Sequence, residues 1–106
     1  MSKVYNLTYY LSVDGAFKGT TQQQIANECF DSGTHKHLDC DAVSNIKLAR
    51  MCLETYFLDY GSDDDGTVFI AIYSNGIYIG QFSFDFYVEV PDPTPDISLS
   101  FLGEVK

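Results

Sequence analysis

Fifteen Asp and Glu against six Lys and Arg give this 106-residue chain a formal charge of −9. That balance argues against direct binding to nucleic acid or to anionic membrane, because affinity for phosphate comes mainly from Lys and Arg. A hydrophobic share of 45%, with eight Phe and eight Tyr, belongs to a folded domain rather than to an acidic tail, and the length predicts one domain over 1–106.

The first segment alternates. Tyr5, Leu7, Tyr9, Leu11 and Val13 fall on one side and Asn6, Thr8, Tyr10 and Ser12 on the other, the period of a half-buried strand. Asp14-Gly15 signals a turn, after which 16–18 would return as a short second strand. Thr21 with Gln24 fits a capping box and opens a helix over 22–31 that buries Ile25, Ala26, Cys29 and Phe30 and stops at Ser32-Gly33. The polar stretch 34–40 reads as a loop. Asp41 would cap the longest helix, 42–60, with Val43, Ile46, Ala49, Leu53, Tyr56, Phe57 and Tyr60 as its apolar stripe and Gly61 just past its end.

Beyond the charged loop 62–66 the pattern turns to β. Residues 68–73 are apolar on both faces, as in an interior strand. Asn75-Gly76 predicts a type I′ hairpin turn. The return strand 77–90 puts Phe82, Phe84, Phe86, Val88 and Val90 on one face and Gln81, Ser83, Asp85 and Glu89 on the other, with a bend near Gly80. Three prolines in 91–96 interrupt the ladder, and Ile97, Leu99 and Phe101 alternate in a last strand. The predicted fold is α+β: an antiparallel sheet of four or five strands, two helices packed on one face, in the order β(β)ααβββ.

No motif commits the chain to catalysis. Cys29, His35, His37 and Cys40 are zinc-type donors, but C-x5-H-x-H-x2-C is not a familiar finger spacing, and a core cysteine with polar loop residues is the plainer reading. A Cys–His nucleophilic pair from the same residues lacks a recognisable orienting group or oxyanion donor. Asp63-Asp64-Asp65-Gly66 fails as an EF-hand, since Ser74 holds the twelfth position where Glu is required. Neither a Walker pattern nor G-x-G-x-x-G occurs, so no metal or cofactor is expected. Three cysteines without an export signal fit a reducing compartment, and no apolar run reaches the roughly 18 residues of a spanning helix. The expectation is a cytoplasmic protein.

The acids remain as the functional signal. Asp59, Asp63, Asp64, Asp65, Asp85 and Glu89 are the candidate partner-binding residues, with Tyr60 and Tyr87 as aromatic anchors. The expected function is that of a small, acidic, non-enzymatic inhibitor that binds a basic protein. A phage or mobile-element anti-defence protein is the leading form. It would block a nucleic-acid enzyme, its spaced carboxylates standing in for DNA phosphates. An immunity protein neutralising a toxin is one alternative. A self-associating assembly module, a homodimer built through the 82–90 strand as a sheet edge, is the other. Acids that merely keep a small domain soluble are the bland reading.

Two helices followed by a three-stranded sheet, with the acidic-loop-to-hairpin segment from Val43 to Gly80, resemble part of the staphylococcal uracil-DNA glycosylase inhibitor family. That resemblance implies DNA mimicry. The chain departs from the family's pattern by opening with a strand, and Thr20-Thr21-Gln22 stand where the family's Glu-Ser-Ile would be expected.

Overall fold

The computed structural model describes residues 2–13, 15–41, 44–60, 66–90 and 96–105. The alternation near the N-terminus forms β1 (Ser2–Ser12), and the capping box opens α1 (Gln22–Glu28). There follow β2 (Asp31–Asp41), α2 (Asn45–Tyr60), β3 (Gly66–Ser74), β4 (Ile77–Val90) and β5 (Asp96–Val105). The five strands make one antiparallel sheet in the spatial order β2-β1-β3-β4-β5. This is the expected α+β class with two helices.

The order along the chain differs in one respect: the second strand is β2, lying between the helices. The segment 34–40 reads as a loop by polarity, yet it pairs with β1 from Ser2↔Asp41 to Leu11↔Asp31. An edge strand needs one hydrogen-bonded neighbour and tolerates polar side chains where it meets water. Residues 16–18 form no strand. Both neighbours of β1 run antiparallel to it, so β2 and β3 are parallel to each other, and α2 is the crossover that joins them past β1.

The helices lie on opposite faces, not on one. Leu48, Ala49, Cys52, Leu53 and Tyr56 of α2 pack with Leu7, Tyr9 and Leu11 of β1, Val68, Ile70 and Ile72 of β3, and Phe82, Phe84 and Leu99. Ile25 of α1 and Phe17 of the linking segment pack with Tyr10, Ala71 and Tyr73, which alternate with the first set and so occupy the reverse face. The apolar run in β3 is explained by this arrangement, because its two faces meet different helices. Phe30, expected in the core, is 54% exposed: α1 ends at Glu28, its C-cap Cys29 has an extended ψ of 149°, and the chain enters β2. Ile46 of α2 is also exposed, and Leu48 and Cys52 belong to the buried stripe instead. Asp41 closes β2 rather than capping α2, and Ser44 Oγ accepts the Lys47 N–H at 3.2 Å in that role.

Asn75 and Gly76 take φ of 52° and 83°, the pair of positive angles a type I′ turn demands. The bend in β4 is a register shift opposite Ile72 and Tyr73, next to Gly80. Bare backbone matters here, since a Cβ on Gly80 would stand 2.9 Å from Cζ of the buried Phe82 ring. Gly33 does the same for Tyr9, whose Oη would be 2.5 Å from such a Cβ. Gly61 and 91–95 lie outside the described residues, as does Val43 of the expected stripe.

The edges of the sheet are β2 and β5. β4 is paired with β3 as far as Phe86 and with β5 as far as Val90, so over 82–86 it is an interior strand and not the edge that a strand-pairing dimer would use. On β5, Arg50 of α2 donates from Nη2 to the Leu99 carbonyl at 2.6 Å, occupying one acceptor there.

Candidate functional site

The topology brings several chain ends to one end of the sheet. β1 finishes there, β3 and β5 begin there, β2 begins there at Asp31, β4 finishes at Val90, and α2 finishes at Tyr60. Among the described acids, Asp31, Asp59, Asp85, Glu89 and Asp96 therefore share that end, the backbone alone placing Asp59, Glu89 and Asp96. These strand and helix ends carry no Lys or Arg. Tyr60 stands on the last residue of α2. Asp63, Asp64 and Asp65 lie outside the described residues.

Two of the acids are tied into the fold. Asp31 Oδ2 accepts the Tyr56 hydroxyl at 2.7 Å and Oδ1 accepts the Ser32 N–H at 2.8 Å, joining α2 to the start of β2. Asp85 Oδ1 accepts the Thr67 hydroxyl at 2.7 Å. Thr67, Asp85 and Ser100 sit directly opposite one another across β3, β4 and β5, on the face that α1 occupies elsewhere. Tyr87 follows Asp85 by two residues on the same face and is 40% exposed. With Gly66 and Phe86 at the rim, these side chains line a shallow depression of about 430 Å³. The sheet thus brings together Asp85 and Tyr87, two of the residues singled out in the sequence. Their companions Thr67 and Ser100 gave no signal, because single hydroxyl residues in alternating strands are common.

Gln81, expected on the open face with Asp85, is instead only 6% exposed. Its Oε1 accepts the Phe17 N–H at 2.7 Å, pinning the segment that links β1 to α1 across the sheet. The Glu28 carboxylate accepts the N–H groups of Lys18 (2.9 Å) and Gly19 (2.7 Å), closing the same segment onto α1. A second depression, about 560 Å³, opens beside it between Ser12 and Glu28.

The zinc-type set does not converge. Cys29 precedes β2 and Cys40 is its penultimate residue, and the extended chain between Asp31 and Cys40 spans roughly 30 Å. One ion cannot reach both. The Cys29 thiol donates to the Ala26 carbonyl at 3.1 Å, and burial, with a smaller push from Asp31, raises it above its ordinary range. A thiol so held is a weak nucleophile at neutral pH. Cys52 is fully buried, its thiol pushed up to about 12 by burial, and it packs as a small hydrophobe.

No helix among the described residues is long and apolar enough to cross a membrane. The resemblance to glycosylase inhibitors is weakened by the order of elements, since β2 separates helices that the resemblance takes as consecutive. Compared with known proteins, the chain matches no family model, no curated protein and no solved structure.

Proposed function

We propose that the protein is a non-enzymatic inhibitor that binds a basic protein surface, with a nucleic-acid enzyme as its target. The observation that carries this reading is the gathering of Asp31, Asp59, Asp85, Glu89 and Asp96 at one end of a sheet whose strand and helix ends there hold no Lys or Arg. Strand and helix ends set the spacing of these five acids along the backbone, so the enzyme would meet a pattern of negative charge where it expects phosphates. Opposite charge raises the association rate and suppresses wrong partners. A phage or mobile-element anti-defence protein would act this way in the cytoplasm, and so would an immunity protein against a basic nuclease toxin.

Capture from host lysate, washed at low and at high salt, tests the reading. The expected result is one basic nucleic-acid enzyme, retained at low salt and weakened at high salt, whose activity stoichiometric protein abolishes. Changing Asp59 and Glu89 to Lys together should lower its affinity by about tenfold at low salt and by much less at high salt, where charge attraction is screened. Recovery of only the protein itself as a defined oligomer would overturn the reading in favour of an assembly role.

A further inference from the structure

The open depression on the α1 side of the sheet differs from the rest of that face. Over β1, the second half of β3 and the first half of β4, the face is covered: Ile25 and Phe17 lie on Tyr10, Ala71 and Tyr73, and Gln81 is pinned beneath the covering segment. Over the other half nothing among the described residues covers the row Thr67–Asp85–Ser100. We infer that this depression is the seat of an arginine side chain of the basic partner, an inference that rests on the function proposed above.

The chemistry selects the occupant. The Thr67 hydroxyl fixes one oxygen of the Asp85 carboxylate, while Oδ2 has no partner among the described residues. A fixed carboxylate on the floor repels phosphate and attracts a cation. The accessible Tyr87 ring stands two residues along the same face, and the Ser100 hydroxyl lies across the strand from Asp85. A guanidinium can donate to carboxylate and hydroxyl in one plane while lying over an aromatic ring. An ammonium is a more strongly hydrated point charge without a plane to stack, so the site discriminates between two cations of equal charge.

The test is a backbone-amide NMR titration of the full chain, at low salt, with hexa-arginine and with hexa-lysine peptides. The expected result is tighter binding of hexa-arginine, with its largest shifts at Thr67, Asp85, Tyr87 and Ser100. Asp85→Asn should weaken hexa-arginine by about tenfold, as expected for loss of a charge-assisted hydrogen bond, and abolish the preference over hexa-lysine. Tyr87→Leu, which leaves the Thr67 contact intact, should also shrink that preference and decides the matter if Asp85→Asn does not fold. Equal binding of both peptides, with shifts confined to residues around Asp59, Glu89 and Asp96, would overturn the arginine seat and leave the charge-based function standing. Failure of both peptides to bind would overturn the two together.

Discussion

Replacing Phe84 by Ala is expected to destabilise the fold by about 3–5 kcal/mol, the range for emptying a large aromatic site in a core. Phe84 is 1% exposed and lies in the cluster that α2 covers. Its ring also meets Phe101 edge-on, centroids 5.4 Å apart, which ties the edge strand β5 to the interior of the sheet. The sheet holds one wall of the resulting cavity and α2 the other, so the site collapses only in part. A domain of this size has about 5–15 kcal/mol in total. The variant should therefore unfold at a much lower urea concentration, and its β5 amides should exchange faster than those of β1. A midpoint close to that of the parent would show that Phe84 is not the keystone this packing describes.

The second large effect concerns Gln81→Leu. The side chain keeps its bulk, yet the Phe17 N–H loses its acceptor in a buried place. Leaving such a donor unpaired costs about 1–3 kcal/mol. The loss should be local first, because Phe17 is what the linking segment contributes to the α1 cluster. The Phe17 amide should lose protection from hydrogen exchange, and the helix amides should follow, while the α2 face stays protected. Unchanged exchange at Phe17 would mean that ring burial alone holds the segment.

How far the fold is legible in the sequence depends on which residues are considered. Asn75-Gly76 and the alternating phenylalanines of β4 announce the hairpin, because turn chemistry and period two agree there. Thr21 and Gln24 announce the start of α1, and the capping box forms as expected, the Thr21 side chain accepting the Gln24 N–H. β2 is hidden because Leu38 and Cys40 are too few, among its Ser, Thr, His, Lys and Asp residues, to reveal a period of two. The placement of the helices on opposite faces is written in the sequence, though indirectly. The continuous apolar run of β3 implies cover on both sides, and Tyr10, on the nominally polar side of β1, belongs to the second cluster. Neither α1 nor α2 announces by its own stripe which face it takes. At the candidate site, Asp85 and Tyr87 were readable as an outward carboxylate and a surface ring. That they share a hollow with Thr67 and Ser100 depends on a register between three strands, which no local pattern encodes.

The position of β1 has a consequence for how the chain is made. One of its two partners, β2, follows within thirty residues, but the other begins only at Gly66. A growing chain emerging from the ribosome therefore carries β1 with one side unmatched until the residues from Gly66 onward have been made. Closing that distant pairing must be paid in chain entropy before any sheet contact rewards it. Refolding after dilution from urea should accordingly take milliseconds to seconds rather than microseconds, as stopped-flow tyrosine fluorescence would reveal. Until β3 arrives, the row of unmatched amides and carbonyls on β1 is the surface most exposed to wrong pairing between nascent chains.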